Sequence, residues 1–358
     1  MTTTDTSAGL QATRPRIVIG GNEDVDLSQG LLRMSFHETV QGLTRAELRF
    51  GNWGLKSGSI GFLFFDRQKL DFGKAMQVKL DQDLLFEGRV SAIEADFGEG
   101  RSPELAVLLE DRFQDLRMTR RTRSFSDQTD AAIFQQIARD HGLQPNVDVS
   151  GPQHKHLAQV NQSDLAFMRE RARAVDAELW LDDTNLHAQP RTRRNGTTIK
   201  LKYGADLREF NVVADLATQR SSVKVAGWSV ADKKAIEHEA GDDTISGELG
   251  SDTSGASILG QKFGSRKEAI AHTVPLTDDD AKSESEAYFR MAARRFLVGS
   301  GVAQPNAKLR VGTYVDLDGV GPLFNGKYYL AEVKHVFDGT AGFRSEFMGE
   351  RPGLGQAQ

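Results

Sequence analysis

Cysteine is absent from the 358 residues of the chain. Without a thiol, the protein forms no disulfide, has no thiolate nucleophile and offers no cysteine ligand to zinc. An excess of either charge is also missing, because 45 basic side chains are balanced by 50 acidic ones and the formal net charge is only -5. This balance provides no general attraction to nucleic acid or to an anionic membrane surface.

Long apolar runs are missing as well. No stretch of the sequence approaches the roughly 20 apolar residues that a membrane-spanning helix needs. The first segment, MTTTDTSAGLQATRP, is polar and lacks the basic start and apolar centre of a signal peptide. We therefore expect a protein that is made and assembled in the cytoplasm, and that leaves the cell only as part of a larger released particle.

Alternating patterns dominate the first hundred residues. Apolar Ala46, Leu48 and Phe50 are separated by the charged residues Glu47 and Arg49, the period of a strand with one buried face. The stretches AMQVKL, RVSAIEADF and ELAVLLEDR follow, with turn residues between them. The pattern predicts a β-domain.

Helical patterns interrupt the β-regions further along the chain. Thr129 and Ser163 are predicted N-caps of two amphipathic helices, and Gly142 is a predicted helix stop. Thr277 is a predicted cap of a third helix that carries aspartates at 278–280 in its first turn. Three adjacent aspartates could suggest a cation site, but the capping spacing favours a helix start.

The two ends of the chain contain similar patterns. VKLDQDLLFEGRVSAIEADF in the first β-region is similar to VDLDGVGPLFNGKYYLAEVKHVFD in the last, with Leu-Phe-x-Gly in both. Two unrelated antiparallel meanders could also look alike, but the shared motif favours tandem copies of one unit. The comparison equates Val78 with Val315, Gly88 with Gly326 and Phe97 with Phe337. Asn325-Gly326 also predicts a tight hairpin.

These patterns together predict an α+β, mainly β chain with two tandem barrel-like β-domains and α/β insert domains. The predicted segments are a flexible N-terminus (1–14), a first barrel (15–116), an α/β insert (117–195), a second barrel (196–235 and 303–351), a loop and helix insertion (236–302) and a C-terminal tail (352–358). The Gly, Ser and Asp-rich stretch GDDTISGELGSDTSGAS predicts a loop within the second insertion.

Two candidate sites with acidic or glycine-rich residues have simpler explanations. Asp182 and Asp183 end the predicted strand of ELWLDD, where aspartates favour a turn, and no second acidic cluster or base lies nearby in sequence. The stretch GPLFNGKY, residues 321–328, resembles a phosphate loop. However, Tyr328 replaces the required Ser or Thr, and no helix is predicted to follow.

Histidines and arginines offer the remaining candidates. His154 and His156 could share a metal, but no third ligand is close in sequence, so a solvated loop is the preferred interpretation. The arginine clusters at 117–123 and 191–194 lack interleaved aromatics and suit ion pairs with a neighbouring subunit, or solvation. We therefore predict no catalytic, cofactor-binding or metal-binding residue and no cofactor.

Several motifs together resemble the phage late control protein D family of tail hub proteins. They are DFGKAMQVKL, LLFEGRVSAIEADF, EDRFQDLRMTRRTRSF, QSDLAFMRERARAVDAELWLDD, SSVKVAGWSVADKKAI, YYLAEVKHVF and GFRSEFMGER. The same stretches are similar to the N-terminal hub portion of VgrG proteins and to hubs of extracellular contractile injection systems. The resemblance covers nearly the whole chain.

The resemblance implies two tandem tube-like β-barrel domains with α/β insert domains. It also implies a homotrimeric, non-enzymatic baseplate hub that joins a sixfold inner tube to a threefold spike and contacts other baseplate proteins. It implies no specific nucleic acid partner and no membrane anchor. The sequence ends at Gln358, soon after the last motif, so the spike is expected to be a separate protein. The alternative function is a carboxylate-based glycan or peptidoglycan hydrolase associated with a tail, whose catalytic carboxylates may be distant in sequence.

Overall fold

The computed structural model describes residues 14–56, 58–194, 197–229, 232–271 and 273–356. The segment predicted to be a flexible N-terminus lies outside the described residues except for Arg14. The predicted C-terminal tail is described as far as Gln356, and its first residues form a short strand.

The strands are β1 (Arg16–Ile19), β2 (Asn22–Glu23), β3 (Leu31–Thr39), β4 (Arg45–Gly51), β5 (Trp53–Lys56), β6 (Ser59–Phe62), β7 (Ala75–Leu80), β8 (Asp83–Asp96), β9 (Glu104–Glu110), β10 (Arg120–Thr129), β11 (Gln144–Val147), β12 (Gln153–Ser163), β13 (Ala177–Asp182), β14 (Asn185–Pro190), β15 (Thr198–Lys202), β16 (Leu207–Ala214), β17 (Ser222–Ser229), β18 (Lys234–Gly241), β19 (Thr253–Ser254), β20 (Lys267–Ile270), β21 (Leu297–Ala303), β22 (Tyr314–Asp318), β23 (Gly326–Asp338), β24 (Gly342–Arg351) and β25 (Gly353–Leu354). The helices are α1 (Val25–Gly30), α2 (Phe113–Arg117), α3 (Asp130–Asp140), α4 (Asp164–Ala174), α5 (Ser246–Leu249), α6 (Gly255–Phe263) and α7 (Asp278–Ala293), with 3₁₀ turns at Arg191–Arg193 and Asp242–Ile245.

One large sheet organises the molecule and confirms the α+β, mainly β fold class. In the part of the chain that the structure describes it has thirteen strands, in the order β16-β21-β24-β23-β3-β4-β9-β8-β7-β1-β2, with β22 beside β23 and β15 beside β22. Strands from the two ends of the sequence meet where β3 pairs antiparallel with β23. The two predicted β-units are therefore two halves of one continuous sheet.

Each half of the sheet buries its own apolar core. Phe36 and Phe50 belong to the core of the first half, and Tyr328 and Leu330 to that of the second. Phe337 of the second half packs into the core of the first. The halves are thus joined by side-chain packing as well as by backbone hydrogen bonds.

The two halves repeat the same strand arrangement. In the first half the order is β3-β4-β9-β8-β7, and in the second it is β16-β21-β24-β23-β22. The matching strands occur in the same order along the chain, and every neighbouring pair within these two sets is antiparallel. The next strand differs, because β1 runs antiparallel to β7 whereas β15 runs parallel to β22.

The strand registers repeat as well, including two β-bulges. Leu32 is the extra residue between β3 and β4, and Arg208 is the extra residue at the matching place between β16 and β21. Ser91 and Ala331 are the extra residues in the pairs β8·β9 and β23·β24. Because bulges are specific local features, their coincidence in both halves identifies an internal duplication.

The repeated registers correct part of the sequence comparison. Gly88 lies opposite Met76, whereas the matching position in the second half is Tyr328, opposite Val315. The predicted match of Gly88 with Gly326 is therefore wrong by two residues, as is that of Val78 with Val315. The reason is a further bulge at Leu85, found between β7 and β8 but not between β22 and β23, together with loops of different length. The match of Phe97 with Phe337 agrees with the register.

The predicted hairpin forms between β22 and β23, but Asn325-Gly326 is not a two-residue turn. Residues 319–325 make the connection, and Gly326 opens β23 with a φ of 127°. The Asn325 side chain accepts a hydrogen bond from the Val320 N–H at 2.8 Å and so shapes this longer loop.

The first insert lies between the two halves of the duplication. Its sheets have the order β11-β14-β13 and β10-β12, and α3 and α4 pack with them around a separate core. The side chains of Thr129 and Ser163 accept hydrogen bonds from the Ala132 and Ala166 N–H groups, which confirms both predicted N-caps.

The second insert is larger than the sequence predicts. Strand β17, which the prediction places in the second barrel (196–235), instead forms a sheet of order β18-β17-β20. Strand β21, placed in the insertion (236–302), instead pairs with β16 and β24. The pattern of β17 identifies a strand, but its partner depends on contacts such as those that bury Val225 in one core with Phe289.

The loop predicted at 241–257 is largely ordered secondary structure. It forms a 3₁₀ turn, α5, β19 and the start of α6. Ile245 and Ala256 are buried in the core of this insert, and Ser254 caps α6 by accepting from the Ser257 N–H at 3.0 Å. Apolar burial and a cap therefore outweigh the polar, glycine-rich composition.

Candidate functional site

Two unpaired strand edges distinguish the duplicated sheet. Strand β16 pairs with β21 on one side, and on its other side the described residues form a single isolated bridge, between Tyr203 and Leu207 at its start. On β8, pairing with β7 stops at Arg89, so within the described part of the chain Ala92–Asp96 pairs only with β9. In the second half the matching segment, Glu332–Asp338, is covered by β3. The edge that β3 covers in the second copy is therefore open at the equivalent place in the first copy.

The covered edge, where β3 meets β23, is tightly packed. The rings of Phe36 and His335 stack with centroids 5.6 Å apart and an interplanar angle of 12°. The Arg310 guanidinium lies 5.3 Å from the centroid of the Phe36 ring. At the edge of this contact, His37 Nε2 is 2.8 Å from Glu332 Oε1. We refer to the paired segments of β3 and β23 as the junction.

His335 is fixed in one neutral form at the junction. Its Nε2 lies 3.0 Å from the Leu309 carbonyl oxygen, which only accepts, so Nε2 carries the proton. Nδ1 then accepts from the Ser345 hydroxyl at 2.9 Å. Burial lowers the pKa of His335 to about 4, with the positive charge of Arg310 acting in the same direction.

A buried ionic cluster lies beside the junction. Arg191 Nε is 3.1 Å from Glu178 Oε1, and its Nη2 is 2.8 Å from Glu350 Oε2. Arg194 Nη1 is 3.2 Å from Glu178 Oε2, to which the Tyr329 hydroxyl also donates a hydrogen bond. The cluster continues to the junction through Glu38 and Arg310, 2.8 Å apart. Segments from both halves and the first insert are therefore held together by ion pairs.

The electrostatics of this cluster keep the Glu38 carboxylate charged. Burial alone would raise the pKa of Glu38, but the charge and hydrogen bond of Arg310, the charge of Arg194 and the Val311 N–H lower it below the ordinary value. Burial, with the charge of Glu178 nearby, raises the pKa of Tyr329 well above its ordinary value.

The positions of the arginine clusters correct the sequence interpretation. Arg191 and Arg194 of the 191–194 cluster are buried within the chain, where the prediction gives solvation or pairing with a neighbouring subunit, whereas Arg193 is exposed. In the cluster at 117–123, Arg123 Nη2 is 2.8 Å from Asp164 Oδ1, which is buried at the start of α4. The sequence shows the charges, but their acidic partners come from distant segments.

Asp182 is the last residue of β13, and Asp183 lies in the predicted turn to β14 with a φ of 54°. With Asp111 they line a cavity of about 430 Å³. Burial raises the pKa of Asp111 to about 6. Its two oxygens accept from the backbone N–H groups of Thr44 (2.6 Å) and Phe113 (2.9 Å). Asp111 therefore anchors the start of α2 against the start of β4.

The paired histidines lie on a strand and not in the solvated loop that the sequence suggests. His154 is on β12, with Nε2 3.0 Å from an Asp130 oxygen that Arg171 also binds. His156 Nδ1 is 3.3 Å from the Ser126 hydroxyl. Within the described ranges, no group of three or more His, Asp or Glu side chains is placed to hold a metal ion.

The remaining two candidates also have structural roles. Residues 321–328 lead into strand β23 and not into a helix, so the helix N-terminus of a phosphate loop is absent from this stretch. The aspartates at 278–280 occupy the first turn of α7, where Thr277 and Asp280 form a reciprocal capping box, as the spacing predicts. No helix among the described residues is long and apolar enough to cross a membrane.

Solved structures share this fold over almost their whole length. The 43 kDa tail protein of prophage MuSo2 from Shewanella oneidensis is 14% identical, with a TM-score of 0.69 over 95% of this chain and 98% of that one. A tail protein from Neisseria meningitidis MC58 is 11% identical, with a TM-score of 0.66 over 94% and 96%. The chain therefore has the fold of phage tail proteins, in agreement with the resemblance found in the sequence.

A third structure extends the likeness to secretion systems. It is an Escherichia coli component of the type VI secretion system, described as structurally similar to the T4 bacteriophage tail proteins gp27 and gp5. It is 12% identical, with a TM-score of 0.60 over 96% of this chain and 79% of that one. No curated protein matches the chain. The model of the Alg8 N-terminal domain matches residues 31–338, and the chain therefore belongs to the Alg8 N-terminal domain family.

Proposed function

We propose that the chain is a structural baseplate hub of a contractile injection system or phage tail. In this role three copies form an adaptor between a sixfold inner tube and a threefold spike. The observation that carries the proposal is the internal duplication, in which two halves repeat both strand registers and bulges. The tail-protein fold supports it.

The duplication bears directly on symmetry. A ring of three chains with two copies of one unit in each presents six similar units, while its true symmetry remains threefold. Such a ring fits a sixfold tube on one face and a threefold spike on the other. In the described part of a single chain, the edge of β8 at Ala92–Asp96 is unpaired and the outer edge of β16 is unpaired beyond Leu207, and folded proteins usually pair or cover such edges.

The proposed role is not enzymatic. Buried charged groups such as Glu178 and Arg191 pair with one another and connect separate segments of the fold. Asp111, whose pKa is raised, is hydrogen-bonded to backbone N–H groups. These contacts are those of a rigid scaffold. The proposed partners are further copies of the chain, the inner tube, the spike and other baseplate proteins, in a particle assembled in the cytoplasm.

The test is to co-express the chain with the tube and spike proteins encoded beside it and to measure the mass of the purified hub complex. We expect three copies of the 39.4 kDa chain for each spike trimer, and imaging should show a ring between tube and spike. A monomer that binds neither the tube nor the spike protein and instead cleaves glycan or peptidoglycan would overturn the proposal.

A further inference from the structure

The second inference rests on the proposed trimer and identifies the surfaces that would close it. We propose that the open segment of β8 in one protomer pairs antiparallel with β16 of the next, in the register of the junction. The occupant of each open edge is thus a second copy of this chain. The repeated registers, the burial of matched residues and the position of the two edges support this pairing.

The junction supplies the register of the proposed pairing. Strand β23 corresponds to β8 through the bulges at Ala331 and Ser91, and β3 corresponds to β16 through the bulges at Leu32 and Arg208. The observed pairing of β23 with β3 therefore translates, residue by residue, into a pairing of β8 with β16. The resulting pairs are Ile93 with Ala214, Glu94 with Val213, Ala95 with Val212, Asp96 with Asn211 and Phe97 with Phe210.

Both copies leave the same space for an incoming strand. The Gly73 N–H donates to the Val90 carbonyl at 2.8 Å, and the Gly312 N–H donates to the Leu330 carbonyl at 3.0 Å. Both glycines have positive φ, 73° and 90°, so the chain turns away at the matching place. In the second half β3 occupies the strand position that this turn opens. In the first half the position is unoccupied by any described residue.

Burial differs between matched positions in the way that a missing strand predicts. Phe337 is 3% exposed because β3 covers it, whereas the matching Phe97 is 63% exposed. On the other edge, Val213, the penultimate residue of β16, is 56% exposed. The proposed pairing sets Phe97 opposite Phe210, an apolar cross-strand pair of the type that stabilises sheets.

Charge is compatible with the pairing. Glu94 and Asp96 are already bound within the chain by Arg49, at 3.1 and 3.6 Å. In the proposed register they face Val213 and Asn211, so no two like charges lie directly opposite each other.

The two edges do not meet within one chain. Six strands separate β8 from β16 in the order of the sheet. Since each protomer has one edge of each kind, the contact is head-to-tail and joins successive protomers. A ring that closes in this way leaves neither edge unpaired and alternates the intrachain junction with an interchain one of the same geometry.

The absence of cysteine permits a direct test by disulfide trapping. At the junction, hydrogen bonds run from the Val40 N–H to the Ala331 carbonyl and from the Gly339 N–H to the Leu32 carbonyl. By the same alternation, Glu94 and Val213 form a non-hydrogen-bonded pair, in which the Cα atoms are about 4.5 Å apart and a disulfide fits.

Full-length chains carrying Glu94→Cys or Val213→Cys alone, with different tags, should be co-expressed with tube and spike and then mildly oxidised. We expect a disulfide-linked heterodimer. The matched control replaces Val213→Cys by Val212→Cys, one residue away and on the opposite face of β16, and should give at least tenfold less product. Equal trapping with both partners would overturn the register.

A second variant tests the edge without introducing a thiol. Backbone N–H groups alternate in direction along a strand. The Asp215 N–H donates to the Phe296 carbonyl, so the Ala214 N–H points away from β21 and toward the proposed partner. Ala214→Pro therefore removes only that donor and keeps the hydrogen bonds with β21. We expect unchanged thermal stability of the isolated chain and loss of the trimer. Ala214→Thr, which keeps the N–H, should assemble as the wild type does.

The outcomes separate the two proposals. A trimer by mass with no Glu94–Val213 disulfide overturns the strand pairing and leaves the hub intact. A specific disulfide in an open, non-trimeric assembly supports the pairing and overturns the trimeric adaptor. Absence of both the disulfide and the trimer overturns both.

Discussion

The ring of Phe36 stacks on the imidazole of His335 across the junction of the two sheet halves, with their centroids 5.6 Å apart. Residues from opposite ends of the sequence thus share one buried contact. The imidazole is neutral there, because Nε2 donates to the Leu309 carbonyl and Nδ1 accepts from Ser345. A proton added at Nδ1 would reverse the hydrogen bond with the Ser345 hydroxyl and would place a buried positive charge near Arg310.

This contact predicts a pH-dependent stability. The folded pKa of His335 is lowered to about 4 from an ordinary 6.5. Between these values the unfolded chain binds the extra proton and the folded chain does not, so stability falls as the pH drops from about 6.5 to 4. We expect His335 to contribute a loss of about 3 kcal/mol over this range. Urea unfolding at a series of pH values measures it.

Groups other than His335 also affect how stability changes with pH, so the wild type must be compared with a variant that lacks this imidazole. Asp111, whose pKa is raised to about 6, increases stability as the pH falls, opposite to His335. Glu38 and Arg310 face the His335 pocket. His335→Gln keeps a donor for the Leu309 carbonyl but does not titrate. The difference in unfolding free energy between wild type and variant should decrease toward pH 4. Parallel pH profiles would contradict the prediction.

The buried ionic cluster predicts a large effect of one uncharged substitution. Glu178→Gln leaves Arg191 and Arg194 without the carboxylate that both bind. We expect a loss of about 3 kcal/mol in unfolding free energy, because two buried guanidinium groups lose the carboxylate that they share. Asp127→Asn is the control, since its ion pair with Lys155 is exposed and its loss should leave the unfolding free energy almost unchanged. Equal small losses would show that the cluster is solvated.

Gly326 predicts a backbone effect at the start of β23. Its φ of 127° is unfavourable for other residues, and an added Cβ would lie 3.1 Å from the Arg351 guanidinium. Gly326→Val should therefore lower the unfolding free energy by more than about 1 kcal/mol. Gly61→Val on β6, where an added Cβ meets no atom within 4 Å, is the matched control. An unchanged melting temperature for Gly326→Val would disprove the strain.

Matched phenylalanines in the two copies predict opposite consequences. Phe337→Ala empties a buried site and should destabilise the isolated chain by about 3 kcal/mol. Phe97→Ala removes an exposed ring and should cost less than about 1 kcal/mol in the isolated chain, but should weaken trimer formation. Thermal unfolding and mass measurement on the same two samples check both effects. Similar behaviour of the two variants in both assays would contradict the edge assignment.

Local features of the fold could be predicted from the sequence. The caps Thr129, Ser163 and Thr277 depend on hydrogen bonds within three residues, and the strand of Ala46, Leu48 and Phe50 depends on simple alternation. These elements appear where the sequence places them, because their causes are close together along the chain.

Non-local features could not be predicted. The pairing of β17 with β20 depends on residues more than thirty positions apart, and the acidic partners of Arg191 lie in other segments. Ser91 and Ala331 are the extra residues of equivalent bulges in the two copies, yet no sequence pattern common to both positions marks them. Gly88 and Gly326 are the similarity visible in the sequence. Their positions in the sheet differ by two residues, because the first copy has an added bulge and the connecting loops differ in length.

The one strand direction that differs between the copies affects what a binding partner would encounter. Strand β1 runs antiparallel to β7, while β15 runs parallel to β22. Around a ring of three chains, sites beside β1 and sites beside β15 would alternate. A sixfold tube that contacted only the five shared strands would meet near-identical sites at every 60° step. A spike that contacted β1 or β15 would find the same site only every 120°. It would therefore bind in three equivalent rotational orientations and not in six.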